Sequence, residues 1–205
     1  MADQVKEREV NDIPTLKALA DPVRLAILNA LFKHEPEPLS VKEIAVELDD
    51  TPTKLYRHVK QLEQVGLIKV TETRLVSGIV ESRYRNAQRS LRLSPAFFTG
   101  STSDHPEVLA ALLAAMDLVR SDFESKHLSG RLEAPVVGPD GVPRSPAQFS
   151  HFSLRLRPER LVRLRNQLGT LLDELAEESD CTDEDAVDVT LFTLLYATGP
   201  TGDRP

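Results

Sequence analysis

Apolar positions in the first ninety residues recur every three or four residues, then switch to every second one. Val23, Ile27, Leu28 and Leu31 form one stripe of a helix over about 22–33, preceded by a shorter helix at about 13–20. Both starts carry the same device, an Asn11 or Asp12 before Pro14 and an Asp21 before Pro22, in which the acidic or amide residue caps and proline fits the first turn. Pro36 and Pro38 break the pattern. Ser40, with Glu43 three residues on, then reads as a capping box that opens a third helix over about 40–48. Thr51 or Thr53 opens a fourth, whose Leu55, Val59, Leu62 and Val65 face inward until Gly66 stops it. Beyond Gly66 the period falls to two: LIKVTETRLV, a tight Ser77-Gly78 turn, then IVESRYRN, the pattern of a β-hairpin.

The connection between the third and fourth helices is so short that they must cross steeply, as in a helix-turn-helix. A helix-turn-helix followed by a hairpin is a winged helix. Three stretches, LKALADPVRLAILNAL, LSVKEIAVELDDTPTKLYRHVKQLEQVGLIKV and SGIVESRYR, together resemble the ArsR-type winged helix-turn-helix transcriptional regulators over about residues 13–86. The resemblance implies that residues 51–61 correspond to the recognition helix and 67–86 to the wing. It also implies a regulator that represses transcription as a homodimer. Best-known relatives of this type sense metals through a cysteine pair on a helix. The corresponding stretch here, LSVKEIAVEL, has no cysteine, and His34, His58, His105, His127 and His151 lack ligand spacing, so no metal site is expected. His58, beside Val59, reads as a packed histidine.

Charge sharpens this picture once it is divided along the chain. The net charge is −7, yet residues 51–92 hold 9 Lys+Arg against 3 Asp+Glu, whereas residues 170–205 hold 1 against 10. An acidic protein can thus present one cationic face to duplex DNA. The N-terminal part of a recognition helix enters the major groove, which makes Thr51, Thr53, Lys54, Tyr56 and Arg57 candidates for base edges or flanking phosphates, with Lys60 and Gln61 one turn further on. Arg57 suits a bidentate contact to guanine, while Lys54 and Lys60 suit phosphate. On the hairpin, Arg74, Arg83 and Arg85 complete the expected DNA-binding set. The competing explanations are a merely solvated helix face and hairpin charges that prevent strand pairing.

The remainder of the chain reads as three further parts. A long helix within 93–128, capped by Asp104 with Glu107, carries Leu109, Leu112, Leu113, Met116, Val119 and Phe123 with alanines allowing close approach; the stripe either packs inside the chain or, as the favoured reading, forms a dimer interface. Residues 129–150 are rich in proline and glycine and read as a linker or long irregular loop. Within 151–198, HFSLRLR and VDVTLFTLLYA alternate like strands around a helix with Leu161, Leu164, Leu168, Leu171 and Leu175 on one stripe, a small β-α-β unit. On that helix Arg160, Arg163 and Arg165 precede Asp173, Glu174, Glu177 and Glu178, an order that opposes the helix dipole and leaves two readings open, an antiparallel partner of the same sequence or two solvated charged faces. The expected class is therefore α+β, with the winged helix-turn-helix domain at 11–92.

Several classes of function fall away. The chain has no phosphate-binding glycine loop, no GxSxG and no HExxH, and Asp183, Asp185 and Asp188 lack the glycine and distal glutamate of a calcium loop, so neither catalysis nor a cofactor is expected. Its longest apolar run, Val108 to Met116, is too short to span a bilayer, and the lone Cys181 fits a reducing compartment, so a cytoplasmic protein is expected. Because a regulator needs an input, a small apolar effector between the long helix and the β-α-β unit stays open, although no cluster of residues identifies it. Duplex DNA is the expected partner. The alternative is a winged-helix module that binds protein through its charged surfaces.

Overall fold

The computed structural model describes residues 4–76, 78–98, 106–132, 135–178, 187 and 189–197. It divides into two compact units, Met1–Ala147 and Gln148–Pro205. The first opens with strand β1 (Val5–Val10), followed by helices α1 (Ile13–Leu19) and α2 (Pro22–Lys33). Local chemistry starts each helix where the sequence places it: the Asp12 carboxylate accepts from the Thr15 N–H at 2.8 Å, and that of Asp21 from the Arg24 N–H at 3.0 Å. A two-residue strand β2 (Leu39–Ser40) leads into α3 (Val41–Glu47). Its capping box is complete, with Ser40 N–H donating to Glu43 Oε2 at 2.7 Å and Glu43 N–H to Ser40 Oγ at 3.3 Å.

The turn into α4 (Pro52–Gln64) depends on Asp49, whose φ of 49° lies in the left-handed region. With Asp49 in that conformation, its own N–H reaches the Val46 carbonyl and the Asp50 N–H reaches that of Ala45, closing the end of α3 as a Schellman motif. The end of α4 repeats the motif with Gly66 at φ 68°: Gly66 N–H bonds to Glu63 O and Leu67 N–H to Leu62 O. Two such stops, one at each helix end, fix the helix-turn-helix.

The chain then forms β3 (Ile68–Val76) and β4 (Ile79–Asn86), the expected hairpin, with Gly78 at φ 80°; Ser77 lies outside the described residues. β4 is central in a three-stranded antiparallel sheet of order β2-β4-β3. Leu16, Ile27, Leu31, Ile44, Leu55, Val59, Leu62, Leu67 and Ile68 fill the space between sheet and helices and are almost wholly buried. Two buried amides tie the layers together, Asn86 Nδ2 donating to Leu28 O and Gln88 Nε2 to Leu67 O, each at 3.0 Å.

Sequence patterning did not reveal the next pairing. β5 (Gln88–Leu93) runs parallel to β1, in a register from Val5 opposite Gln88 to Val10 opposite Leu93. The pairing joins residues 5–10, which precede the expected start at 11, to residues 88–93. A short 3-10 turn (Pro95–Phe98) follows, and then α5 (Pro106–Leu128), whose proposed cap Asp104 lies outside the described residues. The face of α5 made of Val108, Ala111 and Ala114 is buried in the same core, backed by half-buried Leu112 and Leu118. Leu112, expected at the dimer interface, thus packs within its own chain.

In the expected loop, a small antiparallel pair forms, β6 (Val136–Val137) with β7 (Pro143–Arg144), its turn held by Asp140 and Arg144. The second unit contains α6 (Pro158–Glu177), close to the expected bounds. The strands expected on either side of it are absent among the described residues: 151–157 and 189–197 pair with nothing as strands. Alternation decides which side chains share a face, but a strand also needs a hydrogen-bonding neighbour, and neither segment acquires one here. Cys181, Asp183, Asp185 and Asp188 lie outside the described residues.

Candidate nucleic-acid interface

α4 buries Leu55, His58, Val59 and Leu62, and a helix with a single buried stripe must present the rest of its surface to solvent. Thr51, Thr53, Lys54, Tyr56, Arg57, Lys60 and Gln61 are accordingly all exposed. His58 packs inward as expected, its Nδ1 3.5 Å from Asp21 Oδ1 but outside hydrogen-bonding geometry. Thr51 stands at the N-cap without a capping side-chain bond; its N–H donates instead to Asp50 Oδ1 at 2.7 Å.

The cations of this face differ in how far they are already committed. Lys54 Nζ sits 2.8 Å from Asp50 Oδ2. That ammonium first, and the Thr51 N–H second, hold the Asp50 carboxyl below its ordinary range. Arg57 and Lys60 are exposed and have no ion-pair partner among the described residues. Gln61 accepts from Arg24 Nη1 at 2.7 Å.

The β3–β4 hairpin is different. Arg83 is only 8% exposed, with Nη1 on Glu43 Oε1 at 2.9 Å, Nη2 donating to the Pro38 carbonyl, and Nε 3.4 Å from Glu72 Oε2. Arg85, two residues on and therefore on the same face of β4, lies close against Glu35. Both were expected to face DNA; both instead pair with carboxylates of their own chain, Arg83 with Glu43 at the start of α3 and Arg85 with Glu35 in the segment before β2, on the face of β4 opposite the one from which Asn86 reaches Leu28 of α2. Arg74 remains on the surface, where Glu72 takes its guanidinium with two bonds, at 2.9 and 3.2 Å. Lys42 pairs likewise with Glu81 at 3.0 Å. The tip beyond these pairs is apolar: Leu75, Val76, Ile79 and Val80 are all exposed.

Two residues that sequence reasoning passed over position α4. Arg24 donates to the carbonyls of Ala18 (2.7 Å) and Lys17 (2.6 Å) as well as to Gln61, joining the end of α1 to the outer face of α4. Arg8, on β1, donates to Val65 O at 2.9 Å and Gly66 O at 2.8 Å, the two carbonyls just past the end of α4. Arg24 had a signal, its place three residues after a capping aspartate; Arg8 had none, because its targets lie far away in sequence.

Among the described residues, no group of three or more His, Cys, Asp or Glu is placed to hold a metal ion, and no helix is long and apolar enough to cross a membrane. A family model described as a helix-turn-helix domain matches residues 19–71, which run from the end of α1 through α4 into β3. The match supports a DNA-binding regulator and is not that of an enzyme family. No curated protein matches the chain.

Proposed function

We propose that this chain is an ArsR-type winged helix-turn-helix repressor that binds duplex DNA as a homodimer and reads a palindromic operator through α4. The observation that carries the reading is the contrast just described. Most cations of the domain's wing are neutralised within the chain, whereas Arg57 and Lys60 stand exposed on the outward face of the second helix of a helix-turn-helix. Thr51, Thr53, Lys54, Tyr56 and Gln61 flank them. Lys54 exchanges Asp50 for phosphate, and Arg74 is a contact only if it leaves Glu72. Dimerisation is supported by α5: while its small residues face the core, Leu109 (60% exposed), Leu113, Met116 and Phe123 (54% exposed) run along the opposite side. Two copies joined there would offer two α4 helices to two half-sites about one DNA turn apart.

The test is anisotropy titration of labelled duplexes selected from genomic fragments. Arg57→Ala should cost about 1–3 kcal/mol, on the order of five- to a hundredfold in affinity, with relaxed preference at one base pair. If Lys54 and Lys60 of each protomer meet phosphate, the dimer's log–log salt slope should be about −4, at ~0.9 per neutralised phosphate. Absence of salt-dependent duplex binding would overturn the proposal. One observation favours a second reading, a protein-binding module: the apolar wing tip. Under that reading, binding survives Arg57→Ala and fails in Leu75→Ser/Ile79→Ser.

A further inference from the structure

α6 is a 20-residue helix with no buried residue, in a unit with an apolar stripe and a charge pattern of its own. Leu161, Leu164, Leu168, Leu171 and Leu175 are spaced by three, four, three and four, the seam of a coiled coil carried over two heptads. Leu171 and Leu175 are exposed and the other three only half-buried. Charge along the same helix is segregated apart from Glu159 in the first turn: Arg160, Arg163 and Arg165 lie in the first half, Asp173, Glu174 and Glu177 in the second. That order sets cations at the positive end of the helix dipole and anions at the negative end, so it disfavours the helix standing alone.

We propose that α6 pairs antiparallel with α6 of a second copy of this chain. Turning one helix end over end about its midpoint near Leu168 lays leucine seam on leucine seam. It brings each arginine half beside the partner's acidic half and sets the two dipoles in opposition. A parallel pair would place arginines beside arginines, and carboxylates beside carboxylates, along the whole contact. The seam supplies the attraction, and the charges select the direction. Written as a heptad with Leu161 at position a, Arg160 and Glu174 both fall at g, and in an antiparallel pair g flanks g of the partner. The pairing stands apart from DNA binding, since neither the contact nor its test involves α4.

The experiment uses the full chain with Cys181→Ser, so that introduced thiols are the sole ones. Arg160→Cys and Glu174→Cys are made in separate chains, one with a size tag, co-expressed and mildly oxidised. The two positions lie 14 residues, roughly 21 Å, apart on one helix, too far for any bridge within a chain. The expected product is the mixed disulfide, 160 to 174, in large excess over either homodisulfide. Homodisulfides in excess mean parallel pairing, and no interchain product means that α6 does not self-associate; each overturns the proposal. Far-ultraviolet circular dichroism establishes that both variants fold. Pulsed spin-label distances at the same thiols give a second reading that does not require a bond to form: a short 160-to-174 distance between chains is expected, and only long ones would refute it.

Discussion

Arg83→Met separates the two roles an arginine on the β3–β4 hairpin could have. In the structure the guanidinium holds Glu43, the Pro38 carbonyl and, more loosely, Glu72. Methionine keeps an apolar stem of similar length and removes every donor. Hydrogen bonds to charged groups are each worth about 1.5–3 kcal/mol, and breaking a fully buried ion pair costs about 3–5. The carboxylates left behind are not fully buried, since the Glu43 and Glu72 side chains are 46% and 38% exposed and can rehydrate. That lowers the expected loss to about 2 kcal/mol, chiefly the stranded Pro38 carbonyl and the Glu43 contact. For a chain of this size it corresponds to a melting point lower by about 4–8 °C. Urea unfolding followed by circular dichroism measures the loss, and the salt slope of operator binding, taken where the variant is folded, should match that of the parent. A variant within about 0.5 kcal/mol of the parent in stability, whose dimer slope is shallower by about 2, would mean that Arg83 meets phosphate and would refute the reasoning.

Leu113→Glu puts a charge on the outer side of α5; made in a chain whose α6 seam is already broken by Leu168→Glu, it removes two buried leucines if two copies pack at α5, weakens dimerisation there by about 3–6 kcal/mol, and sedimentation velocity should show a monomer where Leu168→Glu alone still shows a dimer. A dimer that persists places the contact elsewhere. Asp49→Val forces a β-branched residue into a left-handed conformation and should cost about 1–2 kcal/mol in urea unfolding, while Asp49→Gly is neutral or stabilising; the reverse order would contradict the geometry of the turn. Burial alone would raise the Glu43 carboxyl, but the Ser40 N–H and hydroxyl and the Arg83 guanidinium together outweigh it and hold it below its ordinary value of 4.5. A carboxyl held low when folded stabilises above its unfolded value and loses that contribution as pH falls through the folded one. Unfolding midpoints should therefore decline below about pH 4.5, and Glu43→Gln should flatten that decline.

The elements legible in the sequence are those fixed by neighbours within about four residues. Ser40 with Glu43, Asp21 with Pro22, and Gly66 each close a loop of chemistry too short for the rest of the chain to override. The outward set on α4 was legible for a related reason: once Leu55, Val59 and Leu62 are assigned inward, the period leaves Lys54, Arg57 and Lys60 outside. What alternation could not supply was the partner. It put Arg83 and Arg85 on one face of β4 but not which face would be covered, because that depends on Glu43 and Glu35, some forty and fifty residues earlier. The same gap hid β1, whose pairing joins Val5 to Gln88, and left 151–157 and 189–197 looking like strands with no neighbour to complete them. On α5 the large apolar residues outshone the alanines, so Leu112 was assigned outward although the small face is the one that seats the helix.

Arg8 and the strand that carries it give the domain a brace remote in sequence from what it steadies. Its guanidinium grips the Val65 and Gly66 carbonyls just past the end of α4, 57 and 58 positions away, while its own backbone is zipped to β5. A fragment trimmed to residues 19–71 would keep every candidate DNA contact on α4 yet strip away this brace and the closing strand together. Such a fragment should bind weakly through a loosened helix end, and a poor affinity measured on it would speak of lost bracing rather than of a surface that cannot grasp DNA.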